Sequence, residues 1–213
     1  MFTGIVEELG TVAARNGSRL RISSRHVLDG SALGASIAVN GCCLTVVQAG
    51  EGWWEADVSD ETFRRTTLGS LQSGDPVNLE RPMAADGRFG GHVVLGHVDL
   101  VGEVLSPAPD LRVRIGRDQM HLLVEKGSIS VDGVSLTVFA LDDDSFQVAV
   151  IPHTANVTTL GARRAGDRVN IEIDVLAKQV ERLVNSRAGS RNGRAGGGGG
   201  IGGALRKLFG RRP

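Results

Sequence analysis

Through most of its length the chain alternates single apolar and polar positions, in short runs broken by Gly, Asp or Asn. A period of two sends successive side chains to opposite faces and marks half-buried strands. "SIAVNG", "CLTVVQA", "WWEADVS" and "PVNLE" read as strands in the first half of the chain, and "RVRIG", "SISVDG", "SLTVFAL", "FQVAVI" and "RVNIEI" in the second. The pattern predicts an all-β chain with about six strands in each half. Sheets this small lose their exposed edges by closing, so two small antiparallel barrels are expected. One stretch departs from the pattern. "DVLAKQVERLVNSR" (174–187) has apolar residues at 176, 180, 183 and 184, a helical spacing, with Asp174 placed as the N-cap. No such segment follows the first half, and a lone apolar stripe at the end of a twofold repeat suits packing against other subunits.

The two halves are copies. Gly4 falls on Gly96, an offset of 92 residues, and the same offset carries Val6 to Val98, Gly10 to Gly102 and Val12 to Val104. "SIAVNGCCLTV" meets "SISVDGVSLTV", and "ETFRRTTLGSLQSGDPVNLE" (61–80) meets "HTANVTTLGARRAGDRVNIE" (153–172) with no slip of register. Two copies are too few for a solenoid, so the chain reads as two duplicated domains, 1–88 and 89–174, then a helix at 175–188 and a Gly-rich basic tail at 189–213.

Composition changes this picture only at its edges. Of the 24 Lys and Arg, six lie in the tail (191, 194, 206, 207, 211, 212), which leaves 18 basic against 24 acidic side chains before residue 189. A mildly acidic body argues against nucleic acid as the main ligand. No run of about 18 apolar residues is present to span a bilayer, and "MFTGIVEELG" has an acidic pair where an export signal would be basic and then apolar. Adjacent Cys42 and Cys43 form neither a disulfide framework nor a metal-ligand spacing, which suits a reducing cytoplasm and no structural metal.

The duplication also serves as an internal control for candidate chemistry. Cys42 aligns with Val134 and shares a face with Leu44 and Val46, so it is expected in the core. Cys43 aligns with Ser135 and shares its face with Thr45, as Ser135 does with Thr137. Two readings stand for Cys43: a small buried hydrophobe, or one of a matched pair of polar groups in two related binding sites. Two readings stand for His97 as well: a structural histidine, or a side chain with a task, since it is titratable in one copy at the position of Ile5, where the fold needs only an apolar residue. His92 and His97 are not placed as a metal pair. Asp174 reads equally as a helix cap, and Lys126 as a solvated charge.

"MFTGIVEELG", "NGCCLTV", "GGHVVLGHVD", "DGVSLTV" and "RVNIEIDVLAKQVERL", in this order and with this duplication, resemble the riboflavin synthase family over residues 1 to about 187. The resemblance implies two tandem, duplicated six-stranded antiparallel Greek-key barrels with a C-terminal helix. It implies a homotrimer without metal or organic cofactor, whose active sites lie between the first barrel of one subunit and the second of a neighbour. The implied reaction moves a four-carbon unit between two molecules of 6,7-dimethyl-8-ribityllumazine, giving riboflavin and 5-amino-6-ribitylamino-uracil. Non-catalytic lumazine or flavin carriers share the family's motifs and form the alternative.

Carried over by residue, the resemblance places one pocket at Gly4, Ile5 and Val6, with Ser36, Cys43, Leu44 and Thr45, closed by Asp57, Val58, Ser59, Asp60, Glu61 and Thr62. The second takes Gly96, His97 and Val98, Lys126, Ser135, Leu136 and Thr137, closed by Ile151, Pro152, His153, Thr154, Ala155 and Asn156. It assigns His97 with Ser135 to proton transfer or carbanion stabilisation, and Cys43 with Asp174 to addition and elimination. His153 departs from the acidic residue often found there. The tail ends in "IGGALRKLFGRR", whose apolar and basic residues read either as disordered filler or as a docking peptide for a lumazine synthase shell or another capsule.

Overall fold

The computed structural model describes residues 1–194, and side chains through residue 186. The tail reading falls on residues 195–213 and lies outside the described residues. Seven strands form the first copy: β1 (Glu8–Asn16), β2 (Arg19–Ser23), β3 (Ser36–Val39), β4 (Cys42–Thr45), β5 (Gln48–Gly50), β6 (Trp53–Asp57) and β7 (Pro76–Glu80). Six form the second: β8 (Leu100–Ser106), β9 (Asp110–Arg114), β10 (Ser128–Val131), β11 (Val134–Leu141), β12 (Ser145–Ala149) and β13 (Arg168–Ile173). The second copy is a closed antiparallel barrel in the order β10-β11-β12-β9-β8-β13. The first is a sheet in the order β4-β3-β7-β1-β2-β6-β5, whose two end strands are halves of one chain segment.

The segment "CLTVVQA", which reads as a single strand, is therefore broken, and hydrogen bonding explains why. Val46 is held against the strand before it: Gly34 N–H donates to Val46 C=O at 2.8 Å and Val46 N–H to Ala35 C=O at 2.9 Å. Val47 N–H then turns to Glu55 C=O at 2.9 Å, so the chain passes at this corner from pairing with β3 to pairing with β6. The second copy makes the same corner with a bulge. Lys126 N–H donates to Val138 C=O at 2.7 Å and Val138 N–H to Gly127 C=O at 3.0 Å, and the β11–β12 register shifts between Val138 and Ala140. Strands β1, β2 and β8 were not apparent from alternation alone. In β1 and β8 an inward glycine, Gly10 or Gly102, interrupts the apolar series.

Alternation fills each barrel with one face of its strands. Leu20, Ile22, Ile37, Trp54, Leu68 and Leu79 are fully buried in the first copy, and Leu111, Ile129, Phe146, Leu160 and Ile171 in the second. Each such side chain contributes about 1.5–3 kcal/mol of burial. Two short helices, α1 (Asp60–Arg65) and α3 (Pro152–Val157), stand at equivalent positions but start differently. Ser59 caps α1 by accepting from Thr62 N–H, whereas α3 starts on Pro152 without a side-chain cap. A single turn, α2 (Arg117–Met120), stands where the first copy has a 3-10 turn at His26–Leu28. Helix α4 (Val175–Arg194) continues past the end at 188 expected from its apolar residues, and Leu176, Val180, Leu183 and Val184 on it are exposed.

The two barrels meet about a pseudo-twofold axis. Phe2 and Val94 form a two-way bridge, with N–H···O distances of 2.7 and 3.1 Å. Asn78 and Asn170 reach across it reciprocally: Thr159 N–H donates to Asn78 Oδ1 at 2.8 Å, and Thr67 N–H to Asn170 Oδ1 at 2.7 Å. Their amides return the favour, Asn78 Nδ2 to Asp132 C=O and Asn170 Nδ2 to Asn40 C=O, both at 2.8 Å. At the centre Gly41 and Gly133 touch. A Cβ on either would stand 2.7 Å from the other's backbone nitrogen, and both hold φ near +80° (+76° and +81°), so the contact requires glycine.

Candidate active site

Two buried carboxylates build the site's frame. Glu80, the last residue of β7, accepts from Thr3 N–H at 2.6 Å and from Gly4 N–H at 3.0 Å. Its counterpart Glu172 in β13 accepts from Leu95 N–H at 2.7 Å and from Gly96 and His97 N–H at 2.9 Å. Each carboxylate thus pins a strip of backbone, at Thr3 and Gly4 or at residues 95–97, to the end of its own barrel. Burial pushes the Glu80 carboxyl up, while the donated hydrogen bonds oppose that shift. Sequence reading recorded Glu80 and Glu172 only as parts of the repeat. The signal was a carboxylate repeated in both copies on the face of Asn78 and Asn170, opposite the core residues Val77 and Leu79.

Each strip is then handed to the opposite barrel. Ser135 N–H in β11 donates to Gly4 C=O at 2.8 Å, and Cys43 N–H in β4 donates to Gly96 C=O at 2.9 Å. A Cβ on Gly4 would be 2.6 Å from Ser135 Cβ, and one on Gly96 would be 2.7 Å from Cys43 Cβ. Val98 packs on the core of the first barrel. The grouping expected from chain order, 4–6 with 43–45 and 96–98 with 135–137, is therefore corrected. Gly4 lies against Ser135, and Gly96 against Cys43, with Val98 on the core of the first barrel. The physical reason is the bridge at Phe2 and Val94, which carries each N-terminal strip across the pseudo-axis.

The expected faces are as the pleat required. Ser36 pairs with Thr45 and Ala38 with Cys43, which puts these four side chains on one face of the β3–β4 ladder. Cys42, Leu44 and Val46 lie in the core. Burial pushes the Cys42 thiol up to about 12, so it is inert as a nucleophile. Cys43 is half-buried against Phe2, Ala38 and Val94.

Ser135 has different company. His92 Nδ1 lies 2.7 Å from Ser135 Oγ. The half-buried His92 has its pKa lowered by burial, with the Asp174 charge opposing. The partnership expected between His97 and Ser135 is thus not the one formed: His97 is exposed, and its strip lies with Cys43. His92 was passed over because the 92-residue offset gives it no counterpart within the sequence, so the duplication could not test it.

Of the remaining expected residues, Val58 is core and Leu44 is buried, so they offer only backbone to a ligand. Asp57 is held by Arg19 through two contacts of 2.9 Å, and Glu61 pairs with Arg64 and Arg65. Ser59, Asp60, Ile151, Pro152, His153 and Asn156 are exposed around the starts of α1 and α3; Thr62, Thr154 and Ala155 are half-buried there. Lys126 is exposed and holds φ +65°, where the first copy uses Gly34 at +85°. Beside Ile5 a cleft of about 560 Å³ is walled by Thr3, Glu80, Arg81, Met83 and Arg88, a volume suited to a small heterocyclic ligand. Among the described residues no cluster of His, Cys, Asp and Glu could hold a metal ion.

The arrangement is two similar exchanges, each setting backbone of one barrel beside a small polar side chain of the other, but with unlike chemistry. A lumazine binding domain model matches residues 3–82 and again residues 95–174. Riboflavin synthase of Mycobacterium tuberculosis (strain ATCC 25618 / H37Rv) is 48% identical over 199 residues, covering 87% of this chain and 99% of that protein. Riboflavin synthase of Actinobacillus pleuropneumoniae is 47% identical over 193 residues, covering 86% and 90%. Among solved structures, LumP complexed with 6,7-dimethyl-8-(1'-D-ribityl) lumazine is 28% identical with a TM-score of 0.70, over 81% of this chain and 98% of that one.

Proposed function

From the premise that this chain belongs to the riboflavin synthase family, we propose that its two composite clefts hold the two lumazine molecules of a dismutation. It is a transferase that converts two 6,7-dimethyl-8-ribityllumazine molecules into riboflavin and 5-amino-6-ribitylamino-uracil. One molecule gives up a four-carbon unit and the other receives it, so atoms balance without a redox partner. A reaction between two identical molecules needs two similar sites, and held geometry replaces a bimolecular encounter worth effective molarities of about 10⁵ M or more. It also needs the sites to differ, because the acceptor loses a proton from its C7 methyl group while the donor is attacked and fragmented.

The observation that carries this reading is the exchange of strips, Gly4 to Ser135 and Gly96 to Cys43. It makes two clefts of one plan and gives one a hydroxyl, the other a thiol on apolar ground. Backbone groups of 4–6 and 96–98 pair with the pteridine edges. Ser135 assists proton transfer at the acceptor, with the Asp174 charge nearby, and Cys43 and His97 assist addition and elimination at the donor. Lys126, Thr45, Thr137, Ser36 and the loops at 57–62 and 151–156 line the clefts and the path of the ribityl chains.

The clefts are brought face to face between subunits of a homotrimer. Exposed Leu176, Val180, Leu183 and Val184, spaced for one face of α4, support its role as the trimer seam. Two unpaired cysteines suit a reducing cytoplasm; no described helix is long and apolar enough to cross a membrane. The tail tethers the enzyme to a lumazine synthase shell or another capsule. Deleting residues 196–213 then leaves turnover intact and abolishes co-assembly.

The test is incubation with 6,7-dimethyl-8-ribityllumazine alone. Riboflavin appearing at one molecule per two lumazines consumed supports the reading. Tight binding with no riboflavin would make the chain a carrier instead.

A further inference from the structure

Ser135 and Cys43 occupy equivalent positions, yet their surroundings were built differently. Around Cys43 the neighbours are Phe2, Ala38 and Val94, and no described side chain offers its sulfur a hydrogen bond. Around Ser135 the chain approaches from the connector between the barrels. A Cβ on Gly91 would stand 2.7 Å from Ser135 Oγ, so only glycine lets this backbone come so close. The next residue, His92, closes on the hydroxyl at 2.7 Å, a short and half-buried contact. Asp174 is the charged group whose field reaches the imidazole, and it favours the protonated ring while burial favours the neutral one. A neutral ring has one nitrogen lone pair to give, and a serine hydroxyl without such an acceptor is free to rotate.

We propose that His92 is the positioning residue of Ser135: Nδ1 accepts the serine hydroxyl proton and turns an Oγ lone pair toward the bound pteridine. The inference rests on the reading that Ser135 serves proton transfer at the acceptor. When the C7 methyl C–H bond breaks, its electron pair enters the pteridine ring system. The proton passes to Oγ as the serine proton moves to Nδ1, and the imidazolium so formed is stabilised by Asp174. The proton returns by the same path when the products form, so the pair is unchanged over a cycle. Among the described residues Cys43 has no such counterpart, and the two clefts are thereby assigned unlike duties by a residue outside the repeat.

The experiment uses the full chain with His92→Ala, His92→Asn, Ser135→Ala and the His92→Ala/Ser135→Ala double variant. Each is assayed with lumazine and with lumazine deuterated at the C7 methyl group, beside fluorescence titration of lumazine binding. His92→Ala is expected to lower kcat at least 10-fold with binding changed less than 3-fold, and to raise the isotope effect on kcat. His92→Asn, whose amide oxygen reaches the place of Nδ1, is expected to recover at least 3-fold of the loss. The double variant is expected to be no slower than Ser135→Ala. An unchanged isotope effect, an Asn variant as poor as Ala, or losses that multiply in the double variant would each overturn the proposal. Binding lost together with turnover in His92→Ala would overturn it too, as a structural role. A parent chain that forms no riboflavin sinks the reading of the reaction itself, an outcome separate from any of these.

Discussion

Asp132 and Arg163 form a buried pair that the first copy does without. Arg163 Nη2 lies 2.6 Å from Asp132 Oδ2, with the Asp side chain fully buried and the Arg side chain 22% exposed. The 92-residue offset puts Asn40 and Leu71 in their places. Asn40 Oδ1 accepts from Asn78 N–H at 2.8 Å just as Asp132 Oδ1 accepts from Asn170 N–H at 2.8 Å, so the neutral arrangement satisfies the same backbone donor. Arg163→Leu strands a carboxylate that keeps only neutral donors, Asn170 N–H and Thr159 Oγ1. Breaking a buried pair costs about 3–5 kcal/mol, and partial exposure of the arginine lowers the expectation here to about 2–4 kcal/mol. Asp132→Asn leaves an arginine that can reach water and costs about 1–2 kcal/mol. The double variant recreates the first copy, and is expected within about 1 kcal/mol of the parent, the residue being the unpartnered Nδ2 that Asn40 already tolerates. Urea denaturation followed by circular dichroism at fixed protomer concentration measures all four. The sign with pH follows. Burial already raises the Asp132 carboxyl and Arg163 opposes that, so removing the arginine raises it further. A carboxyl raised above its unfolded value destabilises once pH exceeds that unfolded value, so the Arg163→Leu deficit should be larger at pH 8 than at pH 5. Two single losses that simply add in the double variant, or a deficit that grows on acidification, would refute the reasoning.

Other consequences of the geometry are equally open to measurement. Cys42→Val copies the residue of the second repeat into a core position, and should cost less than about 1.5 kcal/mol in urea denaturation with turnover unchanged. Cys43→Ser, nearly isosteric beside Gly96, should keep lumazine binding in titration and lower kcat and kcat/KM together. Gly133→Ala forces a side chain onto Gly41 nitrogen at a left-handed φ; a loss of at least about 2 kcal/mol in denaturation is expected, with Gly41→Ala behaving alike.

Much of the barrel was legible in the sequence because its cause is local. A pleated strand with one dry face must alternate, and where "SISVDG" or "PVNLE" alternated, β10 and β7 are found. The faces of β4 followed as well, since Cys42 in the core and Cys43 beside Ala38 are parity statements. What stayed hidden depends on contacts between distant segments. Alternation in "CLTVVQA" gives no hint that Val46 answers to Ala35 while Val47 answers to Glu55. The crossing of strips from one barrel to the other has no periodic signature at all, so chain order grouped Gly4 with Cys43 instead of Ser135. His92 escaped for a related reason: comparison between copies exposes substitutions within the repeat, and His92 lies in the connector.

The pattern of agreement between the copies has a physical logic once the exchange is known. Where side chains or Cβ-free backbone meet across the pseudo-axis, a change in one copy alone leaves a donor or a surface unmatched; the Phe2–Val94 bridge, made by backbone, tolerates unlike side chains. Gly41 and Gly133, Asn78 and Asn170, and Glu80 and Glu172 are accordingly the same in both. Side chains that do not meet across the axis have no such partner in the fold. There the chain reads Ile5 against His97, Gly34 against Lys126 and Cys43 against Ser135. Asp132 with Arg163 shows that even the axis tolerates asymmetry when two residues change together. Contacts across the axis thus set the two exchanged strips in matched geometry, while leaving side chains such as Cys43 and Ser135 free to differ.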